Sequence, residues 1–370
     1  MEEWLRVTYR VSAPAGEIEA RARAIALEQS IEMSLEAVAN RWVKDHVAGR
    51  VEAISATSAE PSAEPNAEPN AFYDVVIALA AVTVGTNPAQ LLSMLFGNVS
   101  LQSDVQLVDV DLPDSVLAAF AGPNHGLEGL RKLTGAHTRA LTCTALKPQG
   151  APSAELAHLC HTFAEAGIDA VKDDHGLADQ ATAPFAERVA ACQRAVAATG
   201  SPTLYVPSLV GGPRRVARQL AIAKGEGVRA VLMAPALYGL PAFAELVEDN
   251  PDLVFLGHPA FAGTARMSPR LLFGRLFRLY GADAVIYPNH GGRFAFSRPD
   301  CLGIAEAARA RWGIFKPAVP VPAGGMPVER VGEMLEFYGP DVMLLISGDL
   351  LRSTDVAARA RRFVAAVHGS

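Results

Sequence analysis

The chain has 370 residues and a mass of 39.1 kDa, more than one ordinary domain of about 100–150 residues needs. Half of the residues are hydrophobic and 19% are charged, which is typical of a globular protein. The net charge of −6 provides no basic surplus for nucleic acid, and no apolar run reaches the roughly 18 residues of a membrane span. The N-terminus lacks the apolar core of a signal peptide, and the four cysteines show no CxxC spacing. We therefore expect a cytoplasmic protein that binds neither nucleic acid nor a membrane.

The first part of the chain predicts strands and helices in the order βαββαβ, which is the ferredoxin-like pattern. Alternating apolar and polar residues indicate half-buried strands. A stretch rich in Ala, Glu, Arg and Ile indicates the first helix, and a proline that opens the second indicates its start. Three near-copies of a four-residue unit over 58–69 predict a flexible loop. We expect an α+β ferredoxin-like N-terminal domain over residues 1–122. The predicted elements are the strands Leu5–Ser12, Val47–Ile54, Phe72–Ala80 and Val105–Leu112 and the helices Glu17–Gln29 and Pro88–Phe96.

Beyond about residue 137, eight short apolar runs alternate with amphipathic segments. Eight βα units predict a TIM (β/α)8 barrel over residues 123–370. A doubly wound open sheet is the alternative, but the GxGxxG motif typical of that fold does not follow the first strand. The predicted barrel strands are Ala140–Leu146, Asp169–Lys172, Thr203–Val206, Ala230–Met233, Leu253–Leu256, Ala284–Tyr287, Ala318–Val321 and Val342–Ile346.

Active sites of such barrels lie at the carboxyl ends of the strands, and polar residues gather there in this sequence. The second barrel strand ends in Lys172, Asp174 and His175, a group that indicates metal binding or acid/base chemistry. Lys147 ends the first strand and is a candidate base if neighbouring charges lower its pKa. His258 ends the fifth strand and can bind a substrate hydroxyl group or move a proton. Each candidate has an alternative explanation. The group at Lys172 can be a solvated strand end with internal salt bridges, Lys147 a structural lysine paired with a loop carboxylate, and His258 a core histidine with its hydrogen bonds satisfied.

Glycines follow the sixth, seventh and eighth barrel strands. Without Cβ atoms, their backbone amides can converge on an anion, and the last two loops of TIM barrels commonly bind phosphate. Ordinary turns are the alternative. The candidate phosphate-binding residues are Gly324, Gly325, Ser347 and Gly348, with Asn289 as a further substrate-binding residue and Arg293 as a contact for a second anionic group.

These motifs resemble the large subunit of RuBisCO and, more closely, the form IV RuBisCO-like proteins. The resemblance covers nearly the whole chain, with a βαββαβ domain before the barrel. In appearance the chain is closest to the non-carboxylating members of the family that act in D-apiose breakdown. The matching motifs are ALKPQG (145–150), GIDAVKDDHG (167–176), HPAFAG (258–263), PVPAGG (320–325) and LLISGD (344–349).

The resemblance implies a role for each candidate. Lys172 matches the lysine that CO2 converts to a carbamate, which ligates Mg2+ together with Asp174 and the residue at His175. Lys147 matches the general base, and His258 matches a substrate-binding histidine. Gly324, Gly325, Ser347 and Gly348 match the backbone phosphate sites, and Gly292-Arg293 falls near the mobile lysine of the sixth loop. Glu28 and Asn98 match residues that reach the active site of a partner subunit, which implies a homodimer with shared sites.

Departures from the family pattern argue against CO2 fixation. Gln149 replaces the second lysine of the first motif, and Pro259 replaces an arginine after the fifth-strand histidine. Arg293 stands where the carboxylases have the sixth-loop lysine, and the segment after Glu28 reads Ser30-Ile31-Glu32-Met33 in place of Thr-Gly-Thr-Trp. His175 replaces a glutamate ligand, and Mg2+ prefers oxygen ligands. Either His175 does not contact the metal directly, or the metal is one that accepts imidazole, as Mn2+ does.

What remains is metal-assisted enediolate chemistry on a phosphorylated sugar or sugar acid. Our first prediction is decarboxylation of 3-oxo-isoapionate 4-phosphate, which makes the protein a lyase. The alternatives are isomerase or enolase chemistry on a methylthio-sugar phosphate of methionine salvage, C–C hydrolysis or transcarboxylation on the oxo-isoapionate phosphate, and a non-catalytic barrel that binds phosphate.

Overall fold

The computed structural model describes residues 3–57, 71–294 and 296–369. The repeat at 58–69, predicted to be a flexible loop, lies outside the described residues. The chain divides into two compact units. One comprises the chain up to Phe120 together with Thr264–Leu272, and the other comprises Ala121–Gly263 and the chain from Phe273 onward.

The N-terminal unit is built on a four-stranded antiparallel sheet in the order β2-β3-β1-β4, as the βαββαβ pattern predicts. In β1, alternate residues such as Leu5, Val7 and Tyr9 are fully buried, because successive side chains of a strand face opposite sides. Pro88 opens a helix after Asn87, whose side chain accepts hydrogen bonds from the next turn. The strands are β1 Trp4–Ala13, β2 Arg50–Ala56, β3 Ala71–Ala80 and β4 Val105–Asp111, and the α-helices are α1 Ile18–Glu28, α2 Arg41–His46, α3 Pro88–Phe96 and α4 Asp114–Leu117, with 3-10 turns at Leu35–Ala37, Ala81–Thr83 and Asn98–Leu101.

Thr264–Leu272 groups with the N-terminal unit, although the predicted boundary counts this segment with the barrel. The reason is a backbone pairing with β4. The Leu107 amide donates to Arg266 O at 3.0 Å, and the Ser268 amide donates to Leu107 O at 2.8 Å. The Arg266 side chain also donates to the backbone oxygen of Ser100. A contiguous sequence boundary cannot anticipate such a return of the chain.

The second unit contains the eight predicted parallel strands as two four-stranded sheets, in the orders β12-β5-β6-β7 and β11-β10-β9-β8. Backbone hydrogen bonds of Pro207 and Leu209 with Leu232 join β7 to β8, and β11 packs beside β12. The ring of strands therefore closes as a TIM barrel, as predicted. The strands are β5 Leu141–Leu146, β6 Ala170–Asp173, β7 Leu204–Val206, β8 Ala230–Met233, β9 Val254–Gly257, β10 Ala284–Pro288, β11 Val319–Ala323 and β12 Met343–Leu345.

Helices follow the barrel strands and bury their apolar faces, as Leu156, Cys160 and Phe163 do in one helix. The α-helices are α5 Gly126–Thr134, α6 Ser153–Glu165, α7 Phe185–Ala197, α8 Pro213–Gly225, α9 Pro235–Tyr238, α10 Leu240–Glu248, α11 Phe277–Leu279, α12 Arg298–Arg309, α13 Val331–Tyr338, α14 Gly348–Leu351 and α15 Val356–His368, with 3-10 turns at Ala262–Thr264 and Val328–Arg330 and a π-helical stretch at Arg270–Leu276.

The barrel interior is an apolar cluster formed by alternate strand residues. Leu204 and Val206 of β7 and Ala284 and Ile286 of β10 belong to it and are almost completely buried. This packed core supports the loops at the carboxyl ends of the strands, where the candidate site residues lie. None of the helices in the described parts of the chain is long and apolar enough to cross a bilayer.

Candidate active site

Lys147 and Asp174 meet at the carboxyl ends of the neighbouring strands β5 and β6. The Lys147 Nζ atom lies 2.6 Å from Asp174 Oδ2, and His175 Nδ1 lies 2.8 Å from Asp174 Oδ1. Burial of Asp174 opposes its charge, but the hydrogen bonds from His175 and Lys147 outweigh burial and lower the pKa of the carboxyl group. Three residues from two separate motifs thus form one polar cluster at the barrel mouth.

Lys172 lies buried at the end of β6, with its Nζ donating to the backbone oxygen of Asp173 at 2.8 Å. Burial lowers the pKa of its amine, since a charged ammonium group loses solvation there. The unprotonated amine is the form that can react with CO2. The side chain therefore has the chemistry that carbamate formation requires.

His258 stacks on His175, with ring centroids 4.3 Å apart and planes inclined by 13°. The backbone amide of Ala260 donates to His258 Nδ1 at 3.1 Å, so the neutral ring carries its proton on Nε2. Burial, followed by the charge of Lys172, lowers the pKa of His258 to about 2. The ring is therefore a neutral hydrogen-bond donor at physiological pH.

Beneath these residues lies a buried ion pair that the sequence analysis did not single out. Arg188 of α7 is fully buried and donates from Nε to Asp173 Oδ2 at 3.1 Å. Asp173 also accepts from the Tyr205 hydroxyl at 2.9 Å and from the Ser208 amide at 3.0 Å. The remaining Arg188 nitrogens donate to backbone oxygens of the loop after β6, including Ala178 and Ala183 at 2.8 Å. The only available sequence signal was Asp173, the first acid of the Lys-Asp-Asp run, which alternation places on the side opposite Lys172 and Asp174.

The glycine loops after β10 and β11 pack directly on each other. The Arg293 amide donates to Gly324 O at 2.8 Å, and a Cβ atom on Gly292 would collide with that same oxygen. Gly324 and Gly325 have φ values of +101° and +81°, which favour glycine. The backbone conformation thus explains why glycine stands at both positions, and an anion site on this loop stays a prediction.

Ser347 and Gly348 stand at the start of the short helix α14, and the Ser347 side chain makes no capping hydrogen bond. Asp349 accepts from the Val328 amide at 3.2 Å and from Arg359 Nε at 3.0 Å. This carboxylate therefore ties the loop after β12 to the turn that follows the Gly324-Gly325 loop. The structure brings the two predicted phosphate-binding loops together through a residue that sequence reasoning missed.

Two further predicted residues differ in their surroundings. Asn289 is fully buried, accepts from the Tyr338 hydroxyl and lies 3.2 Å from the Met326 sulfur through its amide nitrogen. Both polar atoms of the Asn289 side chain thus contact other side chains of the protein, which indicates a structural position. Arg293 is exposed, and its guanidinium group lies 4.9 Å from the ring centroid of Phe294.

In the N-terminal unit, Asn98 Nδ2 donates to Glu28 Oε1 at 2.9 Å. These two residues are 70 positions apart in the chain, and both side chains are accessible to solvent. The fold therefore presents the two predicted partner-site residues as one pair.

A small pocket, partly open to solvent, lies at the ends of β7, β8 and β9. His175 and His258 line it together with mostly apolar residues, so it adjoins the Lys147–Asp174 cluster. Sequence analysis named only these two histidines, because most of the other lining residues are ordinary apolar side chains. The complete lining is His175, Ser208, Leu209, Val210, Gly211, Leu232, Met233, Ala234, Leu237, Tyr238, His258 and Ala260.

The metal that the resemblance implies can be tested against the donors present. Within residues 3–57, 71–294 and 296–369, no three His, Cys, Asp or Glu side chains converge as ligands. The anionic Asp174 and the imidazole of His175 supply two donors, and a carbamate on the buried amine of Lys172 supplies a third. This set fits a divalent cation that accepts both oxygen and nitrogen ligands, Mn2+ more closely than Mg2+.

Comparison with known proteins identifies relatives over the full length of the chain, although no family model matches it. The chain is 47% identical over 376 aligned residues to 5-methylthioribulose-1-phosphate isomerase of Rhodospirillum rubrum, covering 100% of this chain and 98% of that protein. It is 33% identical to 2,3-diketo-5-methylthiopentyl-1-phosphate enolase of Geobacillus kaustophilus, covering 79% of this chain and 74% of that enzyme.

A solved structure supports the same assignment. The crystal structure of the RuBisCO-like protein from Rhodopseudomonas palustris superposes with a TM-score of 0.89 at 47% identity, covering 100% of this chain and 98% of that one. Identity at this level over the whole chain, together with the two-unit fold and the strand-end motifs, shows that the chain belongs to the family of RuBisCO-like proteins.

Proposed function

We propose that this protein is an isomerase that interconverts methylthio-pentulose phosphates by moving a proton next to the carbonyl group. The observation that carries the proposal is the Lys147–Asp174 pair, 2.6 Å apart beside the stacked ring of His258 at the barrel mouth. The name of the Rhodospirillum rubrum relative supports the methylthio-sugar substrate. The names of these relatives favour this alternative of the sequence analysis over decarboxylation of 3-oxo-isoapionate 4-phosphate.

In this reaction, Lys147 removes the proton from a carbon next to the keto group and later returns it to the carbon skeleton. Its side chain is partly exposed, so it can reach a substrate in the barrel mouth. In the structure Asp174 positions the Lys147 side chain through this ion pair. The pairing would end once Asp174 ligates the divalent cation, which would free the amine to act as the base. His258 donates a hydrogen bond from its Nε2–H group to a substrate oxygen and thereby favours the enediolate over the keto form.

The phosphate of the substrate binds the loops after β11 and β12, where Gly324, Gly325, Ser347 and Gly348 offer backbone amides. Arg293 lies next to these loops through its hydrogen bond to Gly324. Asp174, His175 and a carbamylated Lys172 would hold the divalent cation. When bound, such a cation polarises the keto oxygen and stabilises the negative charge that develops there.

We also propose that the active enzyme is a homodimer in which Glu28 and Asn98 complete the site of the partner subunit. Their mutual hydrogen bond supports this proposal, because it presents both polar groups at one place on the N-terminal unit.

The decisive test is an NMR assay in D2O with 5-methylthioribulose 1-phosphate, bicarbonate and Mg2+ or Mn2+. We expect the substrate to convert to an isomeric pentulose phosphate of the same composition. Parallel samples contain 2,3-diketo-5-methylthiopentyl 1-phosphate and 3-oxo-isoapionate 4-phosphate. Enolisation of the diketone alone would identify an enolase, as named for the Geobacillus kaustophilus relative. Loss of carboxylate from the sugar acid alone would restore decarboxylation and reject the isomerase.

A further inference from the structure

The pocket beside the catalytic cluster is built by three consecutive strand ends. Leu209 and Val210 follow β7, Met233 and Ala234 stand at the end of β8, and Leu237 belongs to the short helix α9. The loop after β7 is held from below, because the Ser208 amide donates to the buried carboxylate of Asp173. A wall anchored to a buried ion pair gives the pocket a defined shape.

The chemistry of this lining selects the kind of group that can enter. Among the described residues, no Lys, Arg, Asp or Glu side chain lines the pocket. A carboxylate or phosphate placed there would lose its hydration without gaining a charged partner, which is costly. A neutral apolar group gains from the same transfer out of water. The pocket is therefore suited to an uncharged, apolar end of a ligand.

The position of the pocket matches one end of a chain-like substrate. His175 and His258 belong both to the pocket lining and to the cluster around Asp174. The strand order places β7–β9 on the side of the barrel mouth opposite β11 and β12, whose loops contain the glycines. Leu237 is apolar although 57% of it is exposed at this site. A channel filled only with water would favour a polar side chain at this position.

We propose that this pocket binds the thioether tail of the substrate while the phosphate lies across the barrel mouth on the glycine loops. The proposal takes its ligand from the proposed function, and it adds the site that distinguishes a methylthio-sugar phosphate from a sugar phosphate with a hydroxyl end. The reacting carbons then lie between the two anchoring ends, next to Lys147.

The test uses two unreactive probes, 5-(methylthio)pentyl phosphate and 5-hydroxypentyl phosphate, with binding measured by isothermal titration calorimetry. We expect the wild-type protein to bind the thioether probe about tenfold or more tightly than the hydroxyl probe.

Ala234→Leu fills the pocket and should abolish most of this preference. Leu237→Asp places a charge at the exposed edge of the pocket, where folding is little affected, and should have the same effect. Ala217→Leu, on the exposed face of α8, is the control and should retain the preference.

Equal affinity for the two probes, failure of both to bind, or an unchanged preference in both pocket variants would overturn the proposal. Turnover of 5-methylthioribulose 1-phosphate is measured on the same preparations. Turnover without a probe preference would reject the tail site and retain the isomerase. A preference that the pocket variants abolish, without turnover, would support the tail site and reject the isomerase.

Discussion

At the scale of single residues, the site depends on how the surroundings of each side chain set its protonation. Asp174 stays ionised because Lys147 and His175 contact both of its oxygens, whereas burial favours the neutral amine of Lys172. His258 stays neutral for the same reason of burial. Neighbouring groups thus favour different protonation states, the ionised form for Asp174 and the neutral form for Lys172 and His258. Such an arrangement is common at sites where protons are transferred.

Replacing Lys147 by alanine should remove the base. We expect kcat to fall by about 10²–10⁴-fold, the usual contribution of a positioned base. Circular dichroism should show an unchanged fold, because Lys147 is partly exposed. Lys224→Ala, on the exposed face of α8, is the matched control and should keep full activity. An unchanged rate for Lys147→Ala would rule out this role.

The lowered pKa of His258 predicts a dependence of stability on pH. The unfolded chain protonates this histidine below its ordinary value of 6.5, whereas the folded protein stays neutral down to about 2. The contribution of His258 to the free energy of unfolding is therefore fully present above pH 6.5. As the pH falls below 6.5, the free energy of unfolding decreases by at most about 1.4 kcal/mol per pH unit. Urea unfolding at pH 7 and pH 5 should show a smaller loss in His258→Gln than in the wild type. Equal losses in the two proteins would contradict the assignment.

At the scale of elements, hydrogen bonds between the strand-end loops hold the site together. Arg188 links helix α7 to the loop after β6, and Asp349 links the loop after β12 to Val328. Gly292 allows the loops after β10 and β11 to touch. Each link joins segments that carry candidate site residues, so damage to a link should affect both stability and substrate binding.

Arg188→Met should destabilise the protein strongly. The variant leaves Asp173 buried without its cation, and removing one partner of a buried ion pair costs about 3–5 kcal/mol. The free energy of unfolding from denaturant titration measures the effect. Arg194→Met, on the exposed side of the same helix, is the control and should change it by less than about 0.5 kcal/mol. Equal stability of the two variants would show that the buried pair contributes nothing.

Gly292→Ala should weaken phosphate binding. Its Cβ atom would collide with the backbone oxygen of Gly324, so the two loops must separate. We expect KM for the phosphorylated substrate to rise by about tenfold with a smaller change in kcat, since the base is untouched. Gly332→Ala has open space around the new Cβ atom and is the control. A normal KM in Gly292→Ala would argue against a phosphate site on these loops.

At the scale of the whole molecule, the prediction concerns sharing of sites between subunits. Mixing Asn98→Ala subunits with Lys172→Ala subunits should restore part of the activity, because one of the two sites in each heterodimer then lacks neither residue. Each variant alone should be inactive or nearly so. The mixture is refolded together and assayed against the separate preparations. Native mass spectrometry checks that heterodimers have formed. If they have and no activity returns, the two residues either belong to the site of one subunit or take no part in any site.

Much of the fold could be predicted from the sequence, because period-two and helical patterns identify elements locally. The eight barrel strands and the six elements of the N-terminal unit lie within a few residues of their predicted positions. The return of Thr264–Leu272 to β4 could not be predicted, because it depends on a backbone pairing between residues about 160 positions apart.

The candidate site divides in the same way. The sequence alone determined which residues follow the barrel strands, because the motifs occur in the order of the family. Parallel strands place their carboxyl ends at one edge, so these residues could be predicted to lie near one another. Only the tertiary structure decided which of them touch. It joined Lys147 to Asp174 and enclosed Asn289 between Tyr338 and Met326. It also formed a mostly apolar pocket in which most of the lining side chains belong to no motif. Contacts, burial and the resulting pKa shifts depend on distances between residues remote in the chain, which a linear pattern does not contain.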